Sequence, residues 1–593
     1  MRLLLLMGLA LCAPPSGAAQ NSARKDRPAP SALAARAGSA IDWRDDLQSA
    51  LRGADRPVFW YVPTIHGSPM DRTEQIDRYL LAGPFSWPRT IALLNEHFIP
   101  VRMSAGKRVC EEYGLAPLRF VEPGWIVLAP GGEELAREHQ ITTFHPARFL
   151  APLAELVGVE NPAADGLPGS DRDPISTRWT ASAELWHRGR DEAAREAWRR
   201  LTQEHPEHPL AWKAAMELEG FGPLVHAFET YADLPAAALT PSADGTTAPA
   251  GVFGEDELWN RGTAFLLAAQ RTNGGWEDST YDFGGTDSLP NVFVSISSIC
   301  TIALLERAGG LDERDAALES ALERALAYIT DEEHLNRQDS DELIWAHVYR
   351  ARAFERWIEL RPSDAKALTP HLERALADLV SGQGRGGSWA HEYANPFVTA
   401  DALIALSRAS SIGVTAEEVQ STIERGLASL LRCRTSAGAY TYGTPRRGRA
   451  RASLAASVGR TPRGELAITL LSPRDSIGLA KAVALSFENE RHLLPARKYD
   501  DHTSSHGYGG FFFWYDLHAR AEAIAALPEG EATQDARHRG REQILGLAEF
   551  DGAFMDSHET GRSYGTAMAL WSLALLAEKT RSPGEARDPR SPR

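Results

Sequence analysis

The chain has 593 residues, of which 43% are hydrophobic, and its formal net charge is −16 at pH 7. This length is too great for a single hydrophobic core, so several domains are expected. The negative charge argues against general nucleic-acid binding, which requires a basic surface.

Residues 1–19 have the pattern of a secretory signal peptide. A basic residue precedes an apolar run from Leu3 to Leu11, and three small residues follow, ending at Ala19. The run is too short to span a bilayer, and no later segment is predicted to be transmembrane. We therefore expect an exported protein, periplasmic or extracellular. Residues 20–40, rich in Ala, Pro, Ser and Arg, are predicted to be a disordered lead.

Three cysteines remain after this peptide: Cys110, Cys300 and Cys433. An odd number at wide spacing is not a disulfide framework, so buried free thiols are predicted.

Strands and helices alternate over residues 41–160. A buried strand at 56–63 leads into Gly67-Ser68-Pro69-Met70, and Pro123 precedes a second apolar strand at 124–128. This order resembles the thioredoxin fold, in which the first long strand leads into a Cys-Gly-Pro-Cys helix start. The resemblance implies that Pro123 is the cis-proline of the family.

Both cysteines of that family motif are missing from this chain. Thiol–disulfide exchange needs a thiolate, which Ser, Gly and Met do not supply. Residues 41–160 are therefore predicted to be a redox-inactive α/β module used for docking.

A linker at 161–175 leads to a helical pair at 176–230. Six positions resemble one and a half tetratricopeptide repeats: Leu185, Gly189, Ala194, Trp198, Leu201 and Pro206. Three repeats are usually needed for an independent stack, so this pair is expected to pack on a neighbouring domain. A second flexible linker is predicted at 231–253.

The stretch Arg261–Trp276, RGTAFLLAAQRTNGGW, is a helix that ends at Gln270 in a glycine turn closed by an aromatic residue. The same offsets recur at Gln383, Gly387 and Trp389, and again at Arg434, Gly438 and Tyr440. A degenerate fourth copy ends at Phe554. A repeat of this kind predicts stacked helical units. The glutamine is expected to bond the free N–H groups at the start of the next helix.

This pattern resembles the QW motif of squalene and oxidosqualene cyclases and the fold of protein prenyltransferase β-subunits. The resemblance covers about residues 255–578 and implies an all-α (α/α)6 toroid over 254–578, followed by a disordered tail at 579–593. The expected inner helices lie at 291–309, 342–357, 395–410, 474–487, 511–527 and 563–579.

In such a ring, the turns before the inner helices meet at the central mouth. We predict that catalytic candidates converge there: Asp475, Asp516, His518 and His347. We also predict a set of ligand-binding residues: Tyr281, His391, Glu392, Trp514, Tyr515 and Tyr564.

Three kinds of chemistry are considered for the mouth: cyclase-like acid catalysis, zinc binding and glycan chemistry. Asp339-Ser340-Asp341-Glu342 is close to the Asp-x-Asp-Asp acid motif of the cyclases, but Glu replaces the last Asp, and we interpret it as an acidic helix start. His502, His506 and His518 are weak zinc candidates with no cysteine near them, so no metal or other cofactor is expected. Asp475 with Asp516 or Glu392 is a candidate carboxylate pair for glycan chemistry.

Residues 444–475 carry seven arginines and are predicted to be a solvated loop between a turn and an inner helix. The alternative interpretation is an anion-attracting lid over the mouth.

The leading hypothesis is non-enzymatic: an exported multidomain binding or scaffold protein whose toroid mouth holds an unknown protein or small-molecule partner. The alternative is a toroid enzyme that acts on a glycan or an isoprenoid.

Overall fold

The computed structural model describes most of the chain, apart from short internal gaps and the two termini. The described residues are 26–68, 73–141, 144–162, 173–229, 235–239, 252–282, 285–311, 313–415, 417–445, 448–497, 510 and 512–577. The predicted signal peptide and C-terminal tail lie outside them.

A four-stranded sheet forms the N-terminal domain, in the order β2-β1-β3-β4. β2 is parallel to β1, and the remaining neighbours are antiparallel. The Glu122–Pro123 peptide before β3 is cis. The strands are β1 Val58–Val62, β2 Ile99–Arg102, β3 Gly124–Leu128 and β4 Glu134–Glu138, and the helices are α1 Leu47–Leu51, α2 Thr73–Ala82, α3 Pro88–His97, α4 Lys107–Tyr113 and α5 Pro146–Leu156.

Three helices follow the sheet domain, and the last of them packs against it: α6 Pro174–His187, α7 Asp191–Glu204 and α8 Pro209–Leu218. Lys213 of α8 is fully buried and donates to the carbonyl of Ala82, 2.7 Å away. It also pairs with Glu217 and Glu229 at 3.1 and 3.0 Å. Because a buried ammonium is stable only when it is paired, this cluster fixes the helices on the sheet domain.

The same helical unit contacts the first toroid repeat. Arg271 follows Gln270, the glutamine of the recurring motif. It pairs with Asp191 of α7 at 3.2 Å and lies over the ring of Trp186. A short helix, α9 Ala236–Leu239, precedes the toroid.

The segment predicted as a disordered lead is ordered where the structure describes it. Ala34 lies in a short 3₁₀ turn and is fully buried, and Ser31 donates to Glu219 from both its N–H and its hydroxyl. Arg27 pairs with Asp282 of the toroid at 3.1 Å. Composition predicted disorder here because these partners lie about 190 and 255 residues further along the chain.

Twelve helices form two concentric layers in the described part of the toroid. The inner helices are α11 Leu289–Gly309, α13 Leu343–Leu360, α15 Pro396–Ser411, α17 Arg460–Leu471, α19 Phe513–Ala525 and α21 Gly561–Leu576. The outer helices are α10 Glu255–Ala269, α12 Ala316–Thr330, α14 Ala365–Ser381, α16 Val419–Cys433, α18 Leu479–Glu488 and α20 Glu531–Leu545.

The ring of inner helices is closed. Each inner helix packs on the next one along the chain, and α21 packs back on α11. The predicted (α/α)6 toroid is therefore confirmed, with five inner helices at the predicted positions.

The fourth inner helix was predicted wrongly. The segment 474–487 forms outer helix α18, and inner helix α17 lies inside the arginine-rich segment that was expected to be a solvated loop. Arg460 and Arg463 are almost completely buried within the ring. The charged composition was misleading because Asp401 and Glu522, which lie on two other inner helices, pair with Arg463, and backbone carbonyls accept from Arg460.

The recurring glutamine motif joins neighbouring outer helices. Gln270 Nε2 donates to the carbonyls of Gly274 and of Ala321 in α12, both at 2.9 Å, and its Oε1 accepts from Arg324. The partners are thus a mid-helix carbonyl and an arginine, not the N–H groups that we expected. Those N–H groups lie a turn away, whereas a carbonyl keeps a second lone pair for the glutamine.

α11 is long and apolar enough to cross a membrane, but 78% of its most apolar stretch is buried inside the protein. Cys110, Cys300 and Cys433 are buried free thiols, as predicted.

Candidate functional site

A cavity lies between the N-terminal halves of four inner helices, α11, α13, α19 and α21. Its free volume is about 60 Å³, and the space is about 490 Å³ when the opening to solvent is included. Aromatic and aliphatic side chains form most of the wall, together with two serines, one threonine and one glutamate. The lining residues are Ser279, Tyr281, Val292, Ser295, Ile296, Ile299, Glu342, Trp345, Tyr349, Phe512, Tyr515, Thr560 and Tyr564.

Glu342 supplies the one carboxyl among the described lining residues. It immediately precedes α13, is 2% exposed, and its Oε1 receives no hydrogen bond from the described chain. Burial, reinforced by the nearby carboxylates of Asp339 and Asp341, raises the pKa of Glu342 well above its usual value. Both effects favour the protonated form of the Glu342 carboxyl.

His391 lies beside the Glu342 carboxyl group. It lies at the tip of a small hairpin, β5 Ala390–His391 and β6 Tyr393–Ala394. Its Nδ1 is 3.1 Å from the carbonyl of Asp341 and 3.3 Å from Glu342 Oε1, and its Nε2 is 3.5 Å from the Tyr281 hydroxyl. Burial lowers the pKa of His391 to about 4, so the imidazole is neutral.

Asp339, in the acidic segment before α13, has a structural role. Its carboxylate accepts from the backbone N–H groups of Asp341 and Glu342 and from the side chains of Ser288 and Asn291. It therefore fixes the turn that precedes α13 and joins this turn to α11. The prediction of an acidic helix start was correct for Asp339, but it missed Glu342, which faces the cavity.

An ionic cluster closes the axis below the cavity. Glu522 of α19 accepts from Arg352 at 2.5 Å, from Arg408 at 2.8 Å and from Arg463. Burial alone would raise the pKa of Glu522, but the three guanidinium groups lower it well below its usual value. Asp401 pairs with Arg463 at 3.3 Å and accepts a hydrogen bond from the cavity residue Tyr515. The floor of the cavity is thus fixed to a charged core.

Four of the predicted ligand-binding residues lie at the cavity. Tyr281, Tyr515 and Tyr564 line it, and His391 contacts Tyr281 and Glu342. Glu392 lies at the rim, partly exposed and 3.6 Å from His391 Nε2. Trp514 is different, because its fully buried indole donates to the carbonyl of Met555 and does not line the cavity.

The predicted catalytic residues do not converge. Asp475 lies in an exposed 3₁₀ turn and accepts from Ser472, because the helix that follows it is an outer helix. His347 points from α13 towards α14, where its Nδ1 is 3.5 Å from Asp378. Asp475 is thus exposed, whereas Asp516, its predicted partner, is buried.

Asp516 and His518 belong to the packed interior of α19. A methyl group at Gly459 would lie 1.9 Å from the Asp516 carboxyl carbon, so this glycine is needed for the approach of α17 to α19. His518 is fully buried, 3.2 Å from Ser572 and against the ring of Trp571, and burial lowers its pKa well below its usual value.

The other zinc candidates, His502 and His506, lie outside the described residues. Within the part of the chain that the structure describes, no group of three His, Cys, Asp or Glu side chains is arranged to hold a metal ion. Of the degenerate motif in the sheet domain, Gly67 and Ser68 are described, and Pro69 and Met70 are not.

No protein-family model and no curated protein matches this chain. Among solved structures, it is similar to the GH76A alpha-1,6-mannanase from Salegentibacter sp. HEL1_6, with 12% identity over 54% of this chain and 99% of that one and a TM-score of 0.37. It is also similar to the type II terpene cyclase MstE from Scytonema, with 15% identity over 54% and 97% and a TM-score of 0.33. Similarity at this level leaves the function to be argued from the chain's own residues.

Proposed function

We propose that the toroid is an enzyme that protonates a carbon–carbon double bond of an apolar, isoprenoid-like substrate, with Glu342 as the acid. The observation that carries this proposal is a single buried carboxyl, with a raised pKa, in a cavity whose described walls are otherwise mainly aromatic and aliphatic. Such a wall matches a hydrocarbon, since burial of apolar surface supplies the binding energy.

The reaction begins with transfer of the Glu342 proton to one alkene carbon. The π electron pair forms the new C–H bond, the other carbon becomes a carbocation, and Glu342 becomes a carboxylate. Loss of a proton from a neighbouring carbon, or addition of water, ends the reaction, and Glu342 is reprotonated from solvent.

The aromatic lining supports the cationic stage of this reaction. Tyr281, Trp345, Tyr349, Phe512, Tyr515 and Tyr564 present ring surfaces to the cavity. Aromatic faces attract cations electrostatically, and the attraction is strongest where water is excluded. A neutral His391 adds no positive charge beside the developing carbocation.

A glycan is a poorer match for this cavity. Sugar hydrolysis commonly needs two carboxyl groups across the scissile bond, whereas the described lining holds one. The proposal also departs from the non-enzymatic interpretation of the sequence, and Glu342 is the reason.

The test is to incubate the protein with farnesol in D₂O and to analyse the recovered lipid by mass spectrometry. We expect a product that carries deuterium at carbon. Farnesol that binds but gains no deuterium would instead support the binding or scaffold function. A glycan that is cleaved would contradict the proposal.

We also infer that the remaining domains support this site in an exported protein. The strand order, the cis peptide before β3 and the loss of both motif cysteines support a redox-inactive thioredoxin-like module. Phe144 of this domain contacts His558, two residues before the cavity residue Thr560, with ring centroids 6.2 Å apart. The tetratricopeptide-like helices α6–α8 join that module to the first repeat.

A further inference from the structure

We propose that the core of the toroid binds one small monovalent anion, of the size of chloride, at one edge of the Arg463 guanidinium group. The site belongs to the ionic cluster below the cavity. It goes beyond the proposed function, because its residues are different from the candidate acid Glu342 and it does not depend on the reaction in the cavity.

The unused edge of Arg463 carries this proposal. The side chain is 1% exposed, and its Nη1 donates to Glu522 and lies 3.3 Å from Asp401. Its Nε and Nη2 make no hydrogen bond within the part of the chain that the structure describes. These two nitrogens share one edge of the planar guanidinium group, the edge that binds acceptors in pairs. Because buried donors are normally paired, this edge requires a ligand that accepts hydrogen bonds.

Two neighbouring arginines also have unused donors. Arg352 donates from Nη2 to Glu522, but its Nε and Nη1 lack an acceptor among the described residues, and so does the Nε of Arg408. The ring of Trp571 lies 4.5 Å from the Arg352 guanidinium carbon. Stacking on a ring does not satisfy the N–H groups, since these lie in the plane of the guanidinium group.

The charges of the cluster favour an anion. Three guanidinium groups share two carboxylates, Asp401 and Glu522, which leaves one positive charge. His518 does not add to it, because burial lowers the pKa of this imidazole well below its usual value. Glu355 lies near two of the arginines, but burial raises its pKa, and it forms no ion pair with them within the described chain. A buried positive charge of this kind is stable only when it is paired.

Water is a poorer match for this site than an anion. Five guanidinium nitrogens in the cluster lack an acceptor, whereas Asp401 Oδ1 and His518 Nε2 are the cluster's atoms that could accept and have no donor in the described structure. A water molecule that accepts from the arginines brings two O–H donors, which need acceptors of their own. An anion accepts several hydrogen bonds, adds no donor and cancels the remaining charge.

Crystals grown without halide and then soaked in sodium bromide test the site directly, because bromide takes the place of chloride and scatters anomalously. We expect one buried anomalous peak within hydrogen-bond distance of Arg463 Nε and Nη2. Density at that place without an anomalous signal would identify a water molecule and overturn the proposal. The absence of any density there would overturn it as well.

Thermal unfolding measures the same binding in solution. Chloride is raised from about 1 to about 100 mM, and gluconate, which is much larger, keeps the ionic strength constant. An anion that binds the folded state with a Kd of about 1 mM should raise the Tm by roughly 3 °C or more over this range. A wild-type Tm that does not change with chloride would contradict the proposal.

Two variants test the charge argument. Arg352→Gln leaves two guanidinium groups for two carboxylates, so it should abolish the chloride dependence of the Tm, whatever it does to the Tm itself. Glu355→Gln removes a negative charge near the arginines and should increase the chloride dependence. Glu488→Gln, an exposed position on α18, is the matched control and should keep the wild-type shift. The full wild-type shift in Arg352→Gln would contradict the proposal.

Discussion

Replacing Glu522 with glutamine tests the charged core under the cavity. The change keeps the size of the side chain and removes its charge, while Arg352, Arg408 and Arg463 stay close to it. Glu522 is fully buried, and Arg352 and Arg463 are almost fully buried. Removing one partner of a buried ion pair costs about 3–5 kcal/mol, and no cavity adds to it here because the amide fills the same space.

The assay is urea unfolding followed by far-UV circular dichroism, which reports mainly on the helices. Glu488→Gln on exposed α18 is the matched control and should change the free energy of unfolding by less than about 0.5 kcal/mol. The arginines lower the pKa of Glu522 below its unfolded value, so its contribution is present above that value and is lost as the pH falls. The difference from wild type should hold from pH 8 to about 5.5 and shrink below about pH 4.5. A loss no larger than that of the control would refute the reasoning.

Three further changes have expected outcomes. Burial raises the pKa of Glu122 to about 7, so its stability contribution is present at low pH and lost as the pH rises from about 4.5 to 7. Glu122→Gln should therefore be more stable than wild type by about 3 kcal/mol at pH 8 and nearly equal to it at pH 4. Thermal unfolding at the two pH values measures this difference. Gln270→Ala removes two hydrogen bonds and a partner of Arg324, and should cost roughly 1–3 kcal/mol in urea unfolding, more than the same change at the less buried Gln383. Phe144→Ala should cost about 3–5 kcal/mol and weaken farnesol binding in calorimetry, because this ring packs on His558 beside the cavity wall; unchanged affinity would contradict a supporting role for the sheet domain.

The repeat motif made the toroid predictable. Fixed offsets between Gln270, Gly274 and Trp276 are a local property of one chain segment, and so their recurrence can be read directly from the sequence. Gly274 has a φ of +95°, which a residue with a side chain rarely adopts. The indole N–H of Trp276 donates a hydrogen bond of 2.8 Å to the carbonyl of Leu266. These contacts form within a few residues, and the fold of the repeats follows from them.

The fourth inner helix and the site were harder to predict for one shared reason. Arg463 is stable inside the ring because Asp401 and Glu522 come from two other inner helices. Glu342 is an acid because burial and the nearby carboxylates raise its pKa, although it reads in sequence as one more polar residue at a helix start. The partners of Arg463 are distant in the chain, and so are the helices that bury Glu342, whereas the charge of each side chain alone predicted exposure.

Glu342 did leave one signal in the sequence. It is the last residue of Asp339-Ser340-Asp341-Glu342, the segment close to the acid motif of the cyclases. Asp339 fixes the turn before α13, and the carbonyl of Asp341 lies beside His391. The side chain that enters the cavity belongs to Glu342, the residue at which this chain departs from that motif. The departure that counted against enzymatic activity therefore marks the candidate acid.

The rate at which farnesol gains deuterium in D₂O, compared between wild type and Glu342→Gln under saturating lipid, tests the central claim most directly. A general acid contributes about 10²–10⁴-fold to a rate, so the variant should be slower by at least about 100-fold while calorimetry still detects bound farnesol. Glu342→Asp, which keeps the acid at a shorter reach, should recover part of the rate. Deuterium uptake by Glu342→Gln at the wild-type rate would contradict the assignment of Glu342 as the acid.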